Sequence, residues 1–166
     1  MKYTLVVNIA KQTLSVHALR HHSDNHIIKT YRIATAKNGA GEKFGSECTP
    51  RGKHIIRAKI GTGKAINSVF VGRRPTGEIY TPALKKQHPN RDWILTRILW
   101  LSGQEKGKNR LGNVDTMRRF IYIHGCPDED KMGTPSSHGC LKMRNSDIIE
   151  LYDLVPVLTP VEIIEF

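Results

Sequence analysis

The sequence predicts a single, mainly β domain with one or two helices. Short runs in which apolar and polar residues alternate dominate the first half of the chain. Glycine-rich turns separate these runs, and only one segment near the C-terminus has a clear helical pattern. The 166 residues fit one domain (1–166) and are enough to bury a hydrophobic core.

Five segments in the first half are predicted strands. Residues 3–9 and 13–19 alternate apolar and polar side chains across a short break at residues 10–12, which predicts a hairpin. Three more strands are predicted from their β-branched and aromatic content, at residues 26–34, 54–60 and 68–71. Residues 61–63 and 72–77 are predicted turns because of their glycine and proline content.

The second half contains further strands and two predicted surface loops. Residues 93–101 fit a helix and a buried strand equally well. Residues 118–123 alternate strongly, so we expect a core strand that presents His124 at its C-terminal end. A last strand is predicted at residues 161–166. The predicted loops are residues 103–112 and 126–137.

Residues 145–154 form the clearest predicted helix, with apolar side chains on one face. Asn145 or Ser146 can cap its N-terminus, and Asp147 suits the positive end of the helix dipole. Pro156 is expected to end it.

The chain is strongly basic, with 26 Lys and Arg residues, 15 Asp and Glu residues and a formal net charge of +11. Nucleic acid is the first partner that such a charge suggests. No nucleic-acid-binding motif is present, and the basic residues are spread along the chain, so no nucleic-acid partner is expected. The charge indicates either a solvated basic surface or attraction for a small anionic substrate. No segment has the roughly 18 uninterrupted apolar residues of a membrane span.

The N-terminus and the cysteines together predict a cytoplasmic location. Residues 1–11 do not resemble a cleavable export signal, because their apolar run is short and Asn8 interrupts it. Cys48, Cys126 and Cys140 are an odd number, and we expect reduced thiols rather than a disulfide framework. A Cys48–Cys126 bridge stays open as an alternative.

Ser137, His138, Gly139 and Cys140 are consecutive, and His124 lies sixteen residues ahead of the cysteine. These residues are the parts of a covalent acyl-transfer site. The thiolate is the attacking species, and a nearby imidazole can take its proton or stabilise it as an ion pair. Gly139 leaves the backbone free to direct N–H groups at a developing oxyanion.

The residues around this site carry a family resemblance. The segments that carry it are residues 121–125 (Ile-Tyr-Ile-His-Gly), 136–141 (Ser-Ser-His-Gly-Cys-Leu) and 143–147, with 34–39 and 49–52 further upstream. In this order they resemble the motifs of the L,D-transpeptidase catalytic domain family, YkuD, over roughly residues 1–161. The resemblance implies a β-sandwich-like or partly rolled mixed sheet, with residues 93–101 as a strand and the nucleophile on the loop before the last helix.

The resemblance also implies roles for individual residues. Cys140 would be the nucleophile and His124 the general base, oriented by a backbone carbonyl. His138 would stabilise the thiolate or shape the oxyanion region, where the N–H groups of His138, Gly139 and Cys140 would be the donors. Substrate-binding residues are predicted at Tyr122, Ser137, Lys142 and Arg144, although Ser137 also fits a structural role and Arg144 also fits an anchor for the helix.

Two positions depart from the family pattern. Lys142 stands where Arg or Asn is more usual, so a substrate carboxylate would meet a cation without the bidentate fork of Arg. Cys126 lies two residues after His124, which creates two His-x-Cys pairs that could ligate Zn²⁺. Structural zinc sites more often use Cys-x2-Cys spacing, so no metal or other cofactor is expected.

The resemblance implies an enzyme that attacks the bond between meso-diaminopimelate and the terminal D-alanine of a stem tetrapeptide. Peptidoglycan stem peptides or muropeptides would be the partners. A cytoplasmic member would hydrolyse the thioester and act as an L,D-carboxypeptidase of murein recycling. The alternatives are an L,D-transpeptidase that forms diaminopimelate cross-links, and a basic binding module with a vestigial site. The sequence makes no prediction of oligomeric state.

Overall fold

The computed structural model describes residues 2–19 and 25–166. Met1, the first residue of the predicted domain, lies outside them. Strands dominate the described residues, as the alternating pattern predicts. In chain order they are β1 Lys2–Asn8, β2 Thr13–Leu19, β3 Asn25–Ala34, β4 Gly52–Ile60, β5 Ser68–Val71, β6 Arg74–Ile79, β7 Ile94–Gly103, β8 Tyr122–Gly125, β9 Leu141–Met143 and β10 Pro160–Ile164.

The strands form one mixed sheet that rolls up and closes on itself. The order is β4-β10-β1-β2-β3-β9-β8-β7, and a further pairing of β4 with β7 closes the ring. Strands β5 and β6 extend the sheet beyond β7. The pairs β1–β10 and β8–β9 are parallel, and the other pairs are antiparallel. The prediction of a rolled mixed sheet is confirmed.

The main hydrophobic core lies between the rolled sheet and the second of two helices. The helices are α1, Pro82–Gln87, and α2, Asn145–Leu154. Ile148, Leu151 and Tyr152 of α2 are buried in the core, together with Ile123 of β8 and Leu141 of β9. Burial of such side chains stabilises the fold by about 1.5–3 kcal/mol each. The strands that carry the candidate site therefore rest on a packed layer.

The predicted N-cap of α2 was wrong, and helix α1 was not predicted. The boundaries of α2 agree with the sequence, but its N-cap is Arg144, without a side-chain cap bond, and Asn145 is the first helical residue. The Asn145 side chain is instead buried in a polar network described below. Helix α1 begins after Thr81, whose Oγ1 accepts a hydrogen bond from Leu84 N over 3.1 Å. A Thr cap followed by Pro82 is a helix-start signal that could have predicted it.

The predicted strand at residues 118–123 is wrong at its first half. Asp115 Oδ1 accepts the Arg118 N–H, and Phe120 N donates to Met117 O, so these residues form a turn. Phe120 has a positive φ of 57°, which an extended strand does not allow. Strand β8 begins only at Tyr122, so His124 lies inside the strand rather than after it.

Other boundaries differ by smaller amounts. The predicted turn at residues 72–77 is a two-residue turn at Gly72 and Arg73, after which β6 begins. The last strand starts at Pro160 and ends at Ile164, two residues before the predicted end. Strand β9 was missed because three residues carry too little alternation to predict a strand. Neither helix among residues 2–19 and 25–166 has the length and hydrophobicity to cross a membrane.

Candidate active site

Strand pairing brings the candidate catalytic residues onto one face of the sheet. In the parallel pair β8–β9, Ile123 lies beside Leu141 and His124 lies beside Lys142. Cys140 comes directly before β9. Because side chains alternate along strands, Ile123 and Leu141 point into the core, while His124, Cys140 and Lys142 share the opposite face. His124 and Cys140 line the same cavity.

The Cys140 sulfur sits between two backbone groups of the preceding turn and strand. Tyr122 N donates a hydrogen bond to Sγ over 3.3 Å, and the thiol faces the carbonyl oxygen of Phe120 at 3.3 Å. Burial raises the pKa of the Cys140 thiol to about 12, although the Tyr122 N–H and the positive charge of Arg119 oppose that rise. The thiol is therefore the resting form at neutral pH.

His124 is held in one tautomer by its own strand. Its ring lies 2.6 Å from the backbone oxygen of Gly125 through Nδ1. A carbonyl oxygen only accepts, so Nδ1 carries the proton and Nε2 keeps a free lone pair. Burial lowers the pKa of His124 below its ordinary value, because the charged imidazolium loses its hydration. The predicted orientation by a backbone carbonyl has a geometric counterpart here.

These two shifts favour a neutral pair over a thiolate–imidazolium ion pair. A raised pKa keeps Cys140 protonated, and a lowered pKa keeps His124 neutral, at pH 7. Such a pair is suited to general-base chemistry, in which Nε2 removes the thiol proton as sulfur attacks. Of the two alternatives left open by the sequence, the structure favours the first.

A network of hydrogen bonds fixes the loop that leads to Cys140. Thr49 Oγ1 donates to Gly139 O over 2.9 Å and accepts the N–H of Ala36. Ser137 N donates to Thr35 O, and Lys37 N donates to Ser137 O, both near 3 Å. The upstream motifs at residues 34–39 and 49–52 therefore brace the loop that carries the candidate nucleophile.

Ser137 and Gly139 shape the same loop from within. Ser137 is buried, and its Oγ donates to Cys140 O over 2.5 Å and accepts the Gly139 N–H over 3.2 Å. Gly139 has a φ of +133°, which side chains rarely adopt, and a Cβ there would make a tight contact of 3.0 Å with Ile121 Cδ1, so a substitution would strain the loop. The Gly139 N–H, one of the three predicted oxyanion donors, is thus engaged by Ser137 in the resting structure.

The cavity beside Cys140 has a volume of about 430 Å³, and most of the charged residues that line it are cationic. Arg73, Arg119 and Lys142 line it, and Asp92 is the carboxylate among its lining residues. A cavity of this size suits a short peptide segment. The excess of positive charge favours a ligand that carries carboxylates.

Arg73 was not predicted from the sequence. It lies on the turn between β5 and β6, and its Nη1 donates to the hydroxyl of Tyr122 over 3.0 Å. Its guanidinium stacks 4.9 Å from the ring centroid of Trp100 and 4.7 Å from that of Phe120. A Gly-Arg-Arg-Pro turn carries no signal for such a position, because the contact depends on residues 49 positions away.

Arg119 and Lys142 are more fully engaged with the protein. Arg119 donates to Cys48 O over 2.7 Å and to two further oxygens of the neighbouring loop. Burial lowers the pKa of Arg119 below its ordinary value. Lys142 Nζ forms an ion pair with Asp130 over 2.8 Å and reaches Ser136 Oγ. Its ammonium was predicted to bind substrate, but in this structure it is neutralised by Asp130.

Three further predicted positions lie around the cavity or beyond it. Tyr122 lines the cavity, and burial raises the pKa of its hydroxyl. His138 also lines the cavity and is exposed. Arg144 is not among the lining residues, and its Nη1 donates to Asp128 O over 2.8 Å, which ties down the loop at residues 126–137. That contact agrees with an anchoring role.

The remaining cysteines are free thiols, so the alternative of a Cys48–Cys126 bridge is wrong. Cys126 is fully buried, and its thiol faces Met143 O at 3.3 Å. Burial raises the pKa of Cys126 to about 12, which opposes the thiolate that zinc would need. Within residues 2–19 and 25–166, no three His, Cys, Asp or Glu side chains are grouped as metal ligands.

Solved structures share this fold. Bd1075 from Bdellovibrio bacteriovorus is 19% identical with a TM-score of 0.60, and the match covers 99% of this chain and 48% of that one. An L,D-transpeptidase from Mycobacterium smegmatis is 16% identical with a TM-score of 0.55, over 98% and 58% of the two chains. L,D-transpeptidase 3 from Mycobacterium tuberculosis, with a faropenem-derived adduct, is 16% identical with a TM-score of 0.56, over 98% and 60%.

The chain thus spans about half to three fifths of the length of these solved structures. A comparison with curated proteins finds no match. The model of the family described as YkuD, L,D-transpeptidase catalytic domain, matches residues 2–163, which is nearly the whole chain. Together with the rolled sheet and the cavity that Cys140 and His124 share, this match leads to one assignment: the chain belongs to the YkuD family of L,D-transpeptidase catalytic domains.

Proposed function

We propose that this protein is an L,D-carboxypeptidase that removes the terminal D-alanine from diaminopimelate in murein tetrapeptides. The observation that carries the proposal is the cavity that Cys140 and His124 share, together with the hydrogen bond that places the His124 proton on Nδ1 and leaves Nε2 as the basic nitrogen. Membership of the family supplies the class of bond attacked.

The reaction follows from the neutral pair. Nε2 of His124 takes the thiol proton while Sγ of Cys140 bonds to the diaminopimelate carbonyl carbon. The tetrahedral intermediate collapses as His124 returns that proton to the leaving nitrogen, so the C–N bond breaks and D-alanine departs. Water then attacks the thioester carbonyl and gives a proton to His124. The C–S bond breaks as the tripeptide leaves, and His124 returns the proton to the sulfur.

The charge of the cavity supports a muropeptide substrate. Stem peptides carry several carboxylates, and Arg73, Arg119 and Lys142 outnumber Asp92 in the lining. The chain's net charge of +11 adds a long-range attraction for such anions. A vestigial binding module would not need the hydrogen bond that fixes the tautomer of His124 or the tightly packed loop around Gly139.

Water is proposed as the acceptor because the protein is proposed to act in the cytoplasm, on soluble fragments during murein recycling. Cys48 and Cys126 are free thiols, as is usual in a reducing compartment. The apolar segment at the N-terminus forms β1, whose Leu5 and Val7 are fully buried, so it belongs to the folded sheet. In that setting, water is far more abundant than a second diaminopimelate amine.

L,D-transpeptidation is the second candidate, because similar structures include L,D-transpeptidases. One of them is a complex with a faropenem-derived adduct. If the acyl-donor chemistry is shared, a penem or carbapenem incubated with this protein should add the mass of one inhibitor. The Cys140→Ala variant should stay unmodified. Modification of that variant would exclude Cys140 as the acylated residue.

The test is incubation of the purified protein with a disaccharide tetrapeptide and analysis of the products by mass. Tripeptide and free D-alanine are expected, whereas diaminopimelate-linked dimers as the main product would favour transpeptidation. Cys140→Ala should abolish product formation while its circular dichroism spectrum is unchanged. Cys126→Ser and Cys48→Ser are the matched controls and should keep at least about a tenth of the activity. Turnover by Cys140→Ala would overturn the proposal.

A further inference from the structure

A tight turn carries Arg73 to the cavity. Val71 and Arg74 are paired, so Gly72 and Arg73 alone connect β5 to β6. Both have positive φ, 56° and 65°, as in the two-residue turns that suit the twist of a hairpin. Glycine or asparagine is the usual residue at such positions. An arginine held there in the left-handed region is uncommon, which directs attention to what its side chain contacts.

The Arg73 guanidinium has N–H donors that form no hydrogen bond with the described part of the protein. It contacts the Tyr122 hydroxyl through one hydrogen bond and stacks on the faces of Trp100 and Phe120. In the part of the chain that the structure describes, no carboxylate lies within 4.0 Å of it. A guanidinium has five N–H donors in a fixed fork, and most of these donors are not used here. Stacking on two rings holds the plane of the fork in one orientation.

The other two cations of the cavity are less suited to bind a ligand carboxylate. Arg119 donates to three protein oxygens, and Lys142 is paired with the carboxylate of Asp130. A ligand would have to displace those partners. Arg73 is half-buried at the cavity wall, where a carboxylate could meet it without breaking an ion pair.

Two residues, Tyr122 and Phe120, contact both Arg73 and the Cys140 thiol. Tyr122 contacts Arg73 through its hydroxyl and Cys140 through its backbone N–H. Phe120 contacts Arg73 through its ring and faces the thiol through its carbonyl oxygen. The same two residues therefore contact both the guanidinium and the sulfur. In an acyl donor, the terminal carboxylate lies one residue beyond the scissile carbonyl, a span of at most about 3.6 Å.

Resting on the function proposed above, we propose that Arg73 binds the free α-carboxylate of the terminal residue of the donor peptide. The cavity would then select peptides that end one residue after the scissile bond. Peptides that continue beyond that residue, or that are amidated there, would lack the charge that the fork recognises. This makes Arg73 a specificity-determining residue for removal of a single terminal residue.

The experiment is a cycle of two enzymes and two substrates. Wild type and Arg73→Gln are each assayed with a tetrapeptide that ends in D-alanine and with the same peptide ending in D-alanine amide. Wild type should prefer the acid by about 10- to 100-fold in kcat/KM, the range of a charge-assisted contact. Arg73→Gln should lose most of its activity on the acid, change little on the amide, and show a ratio near one.

Three further arms make the result specific. Arg74→Gln, at the first residue of β6 and outside the cavity lining, should behave like wild type. Arg73→Lys should recover part of the preference, because charge remains without the fork. Amidation of the diaminopimelate side chain instead should change kcat/KM by the same factor in wild type and in Arg73→Gln. An unchanged acid-to-amide ratio in Arg73→Gln, equal losses on both substrates, or an effect of side-chain amidation that disappears in Arg73→Gln would overturn the proposal.

Binding to the Cys140→Ala variant separates this proposal from the proposed function. Calorimetric titration of that variant with the acid and amide peptides requires no turnover. The acid should bind more tightly by a similar factor, and the difference should vanish in Cys140→Ala/Arg73→Gln. If wild type releases no D-alanine but this binding preference is present, the proposed function fails and the role of Arg73 stands. Equal binding of both peptides overturns the role of Arg73 whatever the turnover.

Discussion

The backbone N–H of Tyr122 donates a hydrogen bond to Sγ of Cys140 over 3.3 Å. The bond favours the thiolate, since an N–H dipole stabilises a negative sulfur more than a neutral one. Burial opposes this effect and has the larger influence, so the pKa of Cys140 is raised to about 12. The site is therefore built to stabilise the thiolate as it forms, with the proton held on sulfur at rest.

Alkylation of Cys140 provides the first prediction. With a neutral thiol and a neutral imidazole, iodoacetamide should react slowly at pH 7, and the rate should climb with pH toward the thiol pKa of about 12. The rate is measured by intact mass in a Cys48→Ser/Cys126→Ser background. A fast reaction that is already constant between pH 6 and pH 8 would instead indicate a preformed ion pair.

The general base supplies the second prediction. His124→Ala should lower kcat by about 10²-fold or more, the usual contribution of a positioned base. In wild type, the pKa of His124 is lowered by burial, so the active neutral form persists below pH 6.5. The decline of kcat/KM on the acid side of the pH profile should therefore be centred below pH 6.5. His138→Ala is the matched control, and a larger loss there than in His124→Ala would transfer the role to His138.

The third prediction concerns Lys142, whose charge affects the pKa of His124 and so the pH at which activity declines on the acid side. Its positive charge lowers the pKa of His124, while the charge of Asp130 raises it. In Lys142→Met, the pKa of His124 should rise, because the cation is lost and Asp130 is left unpaired. As the pH is lowered, His124 would then become protonated at a higher pH than in wild type. The decline of kcat/KM on the acid side should therefore shift to higher pH. Lys131→Met, at an exposed position next to Asp130, should leave this pH dependence unchanged. An unchanged decline in Lys142→Met, or a shift to lower pH, would contradict the assignment.

The sequence predicts the chemistry of this site better than its surroundings. The motif residues Cys140, His124 and Gly139 are local in sequence, so their resemblance to a known family carried the geometry with it. Arg73 was missed because its contacts with Tyr122 and Trp100 depend on pairing between distant strands. Nothing in a Gly-Arg turn distinguishes a cavity-lining arginine from a solvated one.

The errors in secondary structure have local causes. Residues 118–123 are two arginines followed by four apolar or aromatic residues, so the alternation on which the strand was predicted is weak, and the carboxylate of Asp115 accepts the Arg118 N–H and stabilises a turn instead. At the start of α2, Asn145 is a residue type that often caps helices, but its side chain forms hydrogen bonds with residues elsewhere in the fold instead. Propensity predicted both positions wrongly, because specific hydrogen bonds outweigh strand and N-cap preferences of about 1 kcal/mol.

Those partners make Asn145 the subject of the fourth prediction. Its side chain is buried, accepts from Thr96 Oγ1 over 2.6 Å, and donates to Cys126 O over 2.8 Å and to Asn67 Oδ1 over 3.0 Å. Asn145→Ala leaves these buried groups without partners, which should lower the free energy of unfolding by about 2 kcal/mol or more. Ser146→Ala, one residue on and exposed, should change it by less than about 0.5 kcal/mol. Chemical denaturation compares the two, and equal values would show that the network contributes little.

His54 gives the last prediction, a dependence of stability on pH that is separate from catalysis. Its Nδ1 donates to Gly52 O over 3.0 Å, so the neutral ring accepts the Thr116 hydroxyl at Nε2 over 2.9 Å. Burial lowers the pKa of His54 from 6.5 to about 4. The unfolded chain therefore binds the proton first, and stability should fall as pH drops from 6.5 toward 4. A shift of this size corresponds to about 3 kcal/mol at the low end of that window. His54→Gln should be less stable than wild type at pH 7, but the gap should narrow as pH falls. Denaturation curves at several pH values test this, and parallel pH profiles for the two proteins would mean that His54 does not carry the dependence.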